Sequence, residues 1–434
     1  MRADAKHFRP NRRNFLALGA ATAAAPMLGA CDGGGSPSLE SLTFWDMVWG
    51  TGAPYTEVAE TIAAEYDPGD LHPVQYQSIP WANWYQTFTS AVASGTGPAV
   101  STGASFQPFF FLEQGTVAPA DGAIDLLEAD GKADFLPGIL DAMNTDQGYA
   151  GIPWGLDLRV FWYRESILQD AGLEPPTTWP ELLEVGKQLR EIDVVGLGLA
   201  AGSDTTDAQK TIVSLMISNG GGLFNENAEP DVTSEANIET LEFVLELVRE
   251  GIIDPRSVSY NSDNLDSDWG SGRVGMGFHQ TGLDRVLSGE AAEDVRVASP
   301  LVSPNGLTGS LYYINAIMLY TDTPDTASGE QFAAWYAAQT DKFWTDGVMI
   351  DLPVTERVAA LPEITENPNV VKSIEEWQPV GKTIAAQSPQ AFGALNSVDG
   401  GRAMASFVQR VVQGESEALP LLETLQADIE ELMG

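Results

Sequence analysis

From about residue 42 to the end of this 434-residue chain, short β-rich runs alternate with longer stretches of helical period. That alternation is the mark of α/β layering. No repeat of 20–50 residues is visible, which excludes solenoids and propellers. Residues 42–48 read as a buried strand and 56–66 as the helix after it. Thr178-Trp179-Pro180-Glu181 fits a capping box ahead of a helix to about Arg190. Behind Ser234, a second cap candidate, Ile238, Leu241, Val244, Leu245 and Val248 follow a 3.6-residue period. Gly251 then stands where a left-handed cap belongs, and Pro255 prevents continuation. Residues 421–433 read as an acidic final helix. At roughly 100–200 residues per domain, two or three domains are expected, and 11 tryptophans with 44% apolar residues supply the core.

Charge removes several functions. Sixty-one acidic against 22 basic residues leave a formal charge of −39, so phosphate backbones and anionic lipid would repel the chain and nucleic-acid binding is not expected. Three histidines (His7, His72, His279) and one cysteine cannot build a His/Cys metal cage or an internal disulfide. No metal or other cofactor is expected. Lysine is scarce, seven against 15 arginines. The acidity reads either as an ordinary solvated surface or as salt adaptation, in which self-repulsion must be screened. Salt adaptation predicts a thermal midpoint that rises between low and molar salt; an unchanged midpoint would remove that reading.

Residues 1–13 carry Arg2, Lys6, Arg9, Arg12 and Arg13 against Asp4, and an apolar, Ala-rich stretch covers residues 15–30. The stretch is too short for a stable membrane span and reads as the core of an export signal. Asn11-Arg12-Arg13-Asn14-Phe15-Leu16 resembles a twin-arginine motif, and Leu28-Gly29-Ala30-Cys31 resembles a bacterial lipoprotein box. Residues 1–30 are then the signal peptide, Cys31 the lipidated anchor and residues 32–38 a flexible tether.

Catalytic signatures are missing. Gly381-Lys382-Thr383 looks like the end of a phosphate loop, but Glu376 stands where the first glycine is needed. Neither a Gly-x-Ser-x-Gly elbow nor His-Glu-x-x-His is present. Nothing singles out a carboxylate pair for glycoside hydrolysis among 61 acids, and the expectation is a binder, not an enzyme. What does recur is aromatic residues beside polar ones: Trp45-Asp46 and Trp49; Trp81, Trp84 and Tyr85; Trp154, Asp157, Arg159, Trp162 and Tyr163; Tyr312 and Tyr313; Trp377. Sugars present apolar C–H faces and rings of hydroxyls, so flat aromatic platforms with planar polar groups suit them. Core packing is the competing reading for any single aromatic.

Tyr149-Ala150-Gly151-Ile152-Pro153-Trp154-Gly155-Leu156-Asp157-Leu158-Arg159, continuing to Tyr163, is similar to a stretch of the sugar-type ABC-transporter solute-binding proteins. There a G-I-P segment precedes a D-x-R-x-x-x-Y run. Ala171-Gly172-Leu173-Glu174-Pro175-Pro176-Thr177-Thr178-Trp179-Pro180-Glu181-Leu182 resembles the same family's A-G-L-x-P-P-x-T-W-x-E-L. Gly220-Gly221-Gly222-Leu223-Phe224-Asn225 and Gly272-Arg273-Val274-Gly275-Met276 extend the likeness over most of residues 39–434. The chain departs from the pattern at Pro98-Ala99-Val100, where P-D-V is usual, and at Arg164. It departs again at Gly282, near which many relatives carry a stacking tryptophan.

The resemblance implies a type II periplasmic-binding-protein fold: two α/β lobes, hinge strands and an interlobe cleft, closing around a ligand. Crossings are expected near 152–156, 309–314 and 351–356. Lobe one is then 39–153 plus 312–353, and lobe two 154–311 plus 354–434. A lipid-anchored monomer on the extracellular face, handing a di- or oligosaccharide to an ABC permease, is the implied function. The alternative is another solute on the same fold, a polyamine or a glycerol phosphodiester. Trp45, Trp154 and Trp377 are the stacking candidates. Asp46, Asp157 and Arg159 are candidates for hydroxyl hydrogen bonds, although a structural salt bridge at the hinge would also use Asp157 and Arg159. Two apart on an extended segment, these two should point to the same side. Tyr163 faces either the cleft or the sheet core. Ser105 and Gln107 follow a loop where the family has a first-lobe contact, and Tyr312, His279 and Gln280 complete the candidates.

Overall fold

The computed structural model describes residues 40–414 and 417–433. Arg12, Arg13, Cys31 and the tether lie outside them. In chain order the strands are β1 (Leu42–Met47), β2 (Val74–Ile79), β3 (Val100–Gly103), β4 (Val117–Ala118), β5 (Asn144–Thr145), β6 (Gly148–Tyr149), β7 (Ile152–Arg164), β8 (Met276–Gln280), β9 (Val295–Val297), β10 (Ser310–Tyr320) and β11 (Gly381–Lys382). Helices occupy most of the connections, as the alternation in sequence requires.

The main sheet runs β2-β1-β3-β10-β7-β8. β1, β2 and β3 are parallel, joined by the helices Ala53–Ala64 and Trp84–Ala93, because a parallel connection needs a crossover. β10 then runs antiparallel to β3 and to β7. β7 is 13 residues long, ~40 Å at the usual rise. Its first half pairs with β10 and its second half with β8 and β9. β7 and β10 are therefore the strands shared by the two halves of the sheet.

Local signals set the element ends. Gly251 takes φ +68° after the helix Glu235–Arg249. Thr178 caps Trp179–Glu191 by accepting from Glu181 N, while the Glu181 carboxylate accepts from Thr177 N and Oγ1 at 2.8 and 2.7 Å, one residue further back than a capping box requires. Trp179 is fully buried and stacks on Phe243 at 4.7 Å.

The chain after Pro353 departs from the expected division. Leu136 N donates to Val354 O and Glu356 N donates to Asp134 O, which ties this stretch to residues placed in lobe one. At Pro368–Lys372 it reaches β9. Further on, Gly393 N donates to Glu113 Oε1 at 2.7 Å, and Tyr85 and Ser397 share a 3.2 Å hydroxyl contact.

Candidate functional site

Register builds the floor of a cavity of about 510 Å³. On β10 and β7, Tyr313 lies opposite Asp157 and Asn315 opposite Gly155, and on β8 Gln280 lies opposite Arg159. Directly paired residues in an antiparallel ladder share a face. Between Asn315 and Ala316 the register shifts, leaving Trp154 as the extra residue of a β-bulge, a device that re-aims side chains. A Cβ at Gly155 would come 3.2 Å from Asp351 Oδ2. The missing side chain thus lets the 351 carboxylate approach the ribbon.

The floor carries an ion network. Asp157 Oδ2 accepts from Arg159 Nη2 at 2.7 Å and from Lys210 Nζ at 3.3 Å, while Arg159 Nη1 stands 3.8 Å from Asp207 Oδ1. Lys210 also lies 5.0 Å over the Tyr313 ring, a cation–π contact. Tyr313 Oη donates to Asp399 Oδ1 at 3.0 Å, Gln209 Nε2 to the same atom at 2.7 Å, and Asn315 Nδ2 to Asp351 Oδ2 at 2.8 Å. Burial, the largest single influence, would raise the Asp157 and Asp207 carboxyls, but the Arg159 charge, together with Lys210 and, at Asp207, the Ser262 hydroxyl, outweighs it and holds both below the usual carboxylate range. Among the described residues no cation forms an ion pair with Asp351. Burial, and then the charge of Asp157, push it up to about 8. Asp399 is raised as well, again by burial first.

An aromatic wall stands over this floor. Trp49, Trp81 and Trp84 line the cavity. Trp81 meets Trp49 edge-on at 4.9 Å and Trp84 at 6.2 Å, and its indole Nε1 donates to Val48 O at 2.6 Å. Trp81 is 41% exposed. On the far side His279 Nε2 lies 3.0 Å from Asp266 Oδ1. Among the described residues, Asp157 Oδ1, Arg159 Nε and His279 Nδ1 are buried polar atoms without a hydrogen-bond partner. The three residues are 7%, 3% and 5% exposed, and all three line the cavity. Such atoms are costly unless something pairs with them. Among the described residues no three or more His, Cys, Asp or Glu side chains are placed so that they could hold a metal ion.

The sequence pattern of the bacterial extracellular solute-binding proteins matches residues 51–342, well over half of the chain. The chain belongs to this family. A putative binding protein of Brucella abortus is 22% identical over 277 residues, 63% of this chain and 66% of that one. The chain thus matches just under two thirds of that relative's length. A sugar transporter from Arthrobacter chlorophenolicus, solved with bound laminaribiose, is 39% identical with a TM-score of 0.86 over 90% of this chain and 99% of its own. A maltose-bound protein of T. maritima, 16% identical, shares the fold at a TM-score of 0.75 over 90% and 99% of the two chains. The two-lobe binding-protein architecture is therefore the architecture of this chain.

Five of the twelve residues singled out from sequence line the cavity of this solute-binding protein: Ser105, Asp157, Arg159, His279 and Gln280. Asp157 and Arg159 do share a side, and the ion pair between them shows it. Ser105 sits at φ +27°, a strained backbone held where the chain turns into the cavity. Gln107 braces that turn from inside, its Oε1 accepting from Ala104 N at 2.8 Å.

The stacking candidates sit elsewhere. Trp45 packs edge-on against Phe88 at 5.4 Å. Trp154 is displaced by the bulge into the core, against Trp49 and Phe343. Trp377 is fully buried, with Nε1 donating to Ala298 O at 2.8 Å. Asp46 is also fully buried, as successive residues on a strand that is covered on both faces must be. Tyr163, paired with Met276 and Arg296, lies beyond the cavity. Tyr312, next to Tyr313 on β10 and so on the opposite face, lines a separate cavity of about 380 Å³. At Gly282 a Cβ would fall 2.5–2.8 Å from Ile350 atoms, backbone included, so no tryptophan fits there without moving residue 350.

The cavity carboxylates beyond Asp157 carry no local sequence motif. Asp351 follows Met349-Ile350, and Lys210 is one of seven lysines, set in the almost wholly buried helix Asp207–Ser218. A charge inside an apolar run was the available signal in both cases.

Proposed function

We propose that this solute-binding protein captures a carbohydrate, a di- or oligosaccharide, in the cleft and delivers it to an ABC permease. The observation that carries the reading is the tryptophan wall facing a floor of buried polar atoms without partners. A pyranose offers an apolar face to the first and hydroxyls to the second. About 510 Å³ is within the usual range for small-molecule sites, and the laminaribiose-bound relative is 39% identical. We assign the hinge to β7, β10 and the stretch near residues 366–368, with lobe one extended through about residue 365. The signal at Arg12-Arg13 and lipidation of Cys31 complete the reading, tethering the chain beside its permease on the extracellular face as a monomer.

Calorimetric titration against mono- and oligosaccharides, with spermidine alongside, tests it. One sugar binding near micromolar, about −8 kcal/mol, without turnover is the expected result. Silence across the sugars, or hydrolysis of the bound glycan, would overturn it. Seven carboxylates line the cavity against Arg159 and Lys210, which favours a polyamine as the second reading; spermidine binding alone would select it. A phosphodiester is disfavoured because both cations already face carboxylates. Trp81→Ala should cost a stacked sugar about 1–3 kcal/mol with little change in stability, since the ring is partly exposed. Unchanged affinity would remove Trp81 from the site.

A further inference from the structure

One hydroxyl links the buried carboxylate of β1 to the aromatic wall. A threonine hydroxyl has one proton to give and two lone pairs to receive with. Thr102, fully buried on β3, gives its proton to Asp46 Oδ1 at 2.7 Å and receives Met47 N–H and Trp49 Nε1–H, both at 2.9 Å. All of its capacity is used. The contact with Asp46 therefore fixes the O–H direction and aims both lone pairs at the end of β1. Trp49 in turn supports Trp81 edge-on, and Trp81 is anchored to Val48 O between them. Strand end, indole and exposed ring form one connected unit.

We infer that Asp46 is a positioning residue for the cleft: by orienting the Thr102 hydroxyl it fixes the Trp49 indole and, through it, the Trp81 face offered to the ligand. The effect on ligand rests on the carbohydrate reading; the effect on the indole does not. Burial raises Asp46 to about 7, against hydrogen bonds from Thr102, Tyr55 and Tyr76 that act to lower it. The titratable groups around it are Tyr55, Tyr76 and Tyr336, all themselves raised by burial and neutral at this pH. Above about 7 the carboxylate only accepts. Below it the proton is accommodated on Oδ2, beside Tyr76 Oη at 3.3 Å, and Oδ1, now an uncharged carbonyl oxygen, holds the Thr102 O–H more weakly, which loosens the aim of both lone pairs.

The test follows the Trp49 indole N–H by NMR in the ligand-free protein, with the resonance assigned by its loss in Trp49→Phe. It should titrate near neutral pH in the wild type and stay flat in Asp46→Asn. Thr102→Val should move it upfield at every pH, and Thr102→Ser should restore it. With laminaribiose as probe, Thr102→Val should weaken binding roughly tenfold, the worth of one good hydrogen bond, while Thr102→Ser stays near wild type. A Trp49 resonance unmoved in Thr102→Val, or one that titrates in Asp46→Asn as in the wild type, would overturn the inference. So would wild-type affinity in Thr102→Val. Should Asp46→Asn fail to fold, the Thr102 pair decides. Should no sugar bind the wild type, the carbohydrate reading falls and the indole resonance still decides the role of Asp46.

Discussion

Replacing Arg159 with methionine should lower the free energy of unfolding by about 3–5 kcal/mol at pH 7, the usual cost of removing one partner from a buried ion cluster. The guanidinium is buried, with Asp157 at 2.7 Å and Asp207 at 3.8 Å. Without it, Asp157 keeps only Lys210 at 3.3 Å, and burial, which already opposes both charges, acts with less to offset it. The pH dependence has a definite sign. In the wild type both carboxyls are held below their ordinary values, so their contribution is present above about pH 4 and lost as pH falls further. The gap between wild type and Arg159→Met should accordingly be widest near pH 7–8 and narrow towards pH 4, where the variant's carboxyls take up protons. Urea unfolding at the two pH values measures it. A gap below about 1 kcal/mol at pH 7 would mean that water or rearrangement relieves the cluster, and that Arg159 is not its keystone.

Asp351→Asn should act in the opposite direction and make the protein more stable at alkaline pH. Asp351 is raised to about 8, so folding keeps a proton that the unfolded chain releases near pH 4. The stability associated with that proton is full below about pH 4 and drains away as pH rises towards 8, by up to about 1 kcal/mol per pH unit. Asparagine keeps an acceptor for Asn315 Nδ2, has nearly the same shape and carries no charge to set beside Asp157. At pH 8 the variant should exceed the wild type by about 2–4 kcal/mol, and at pH 4 the two should nearly coincide. Parallel stability curves from pH 4 to 8 would show that Asp351 is ionised throughout.

The α/β alternation, the Thr178 cap of Trp179–Glu191, the Gly251 stop after Glu235–Arg249 and the pairing of Asp157 with Arg159 were legible in the sequence because each rests on local rules, whereas Ser234 makes no side-chain cap bond. Period, cap and strand alternation all act within a few residues. Trp154 was misplaced because one inserted residue on β7 re-aims it, and a bulge is a property of two strands together. The same holds for Trp49 and Trp81, adjacent aromatics whose exposure depends on what packs over them. Asp399 and Asp351 reach the floor from segments more than 190 residues away in sequence from Asp157. Nothing local marks that convergence beyond a charge set among apolar neighbours. The contacts of the chain just after Pro353 were not legible for a related reason: its hydrogen bonds go back to residues 134–136, a pairing without any periodic trace.

β7 and β10 are paired over six positions; Asp157, Tyr313 and Asn315 stand on that ribbon, and Arg159 follows its last pair on β7. In a molecule that opens and shuts by twisting such a ribbon, these groups ride on the axle, where displacement is smallest. They would greet a ligand with nearly the same geometry whether the jaws are apart or together. A contact made equally in two states holds the ligand but cannot choose between the states. The bias towards the shut form must then come from what swings: Trp81 on one jaw, His279 and Gln280 on the other. Floor substitutions would shift how tightly cargo is held, and jaw substitutions would shift how often the molecule is ready to hand it on.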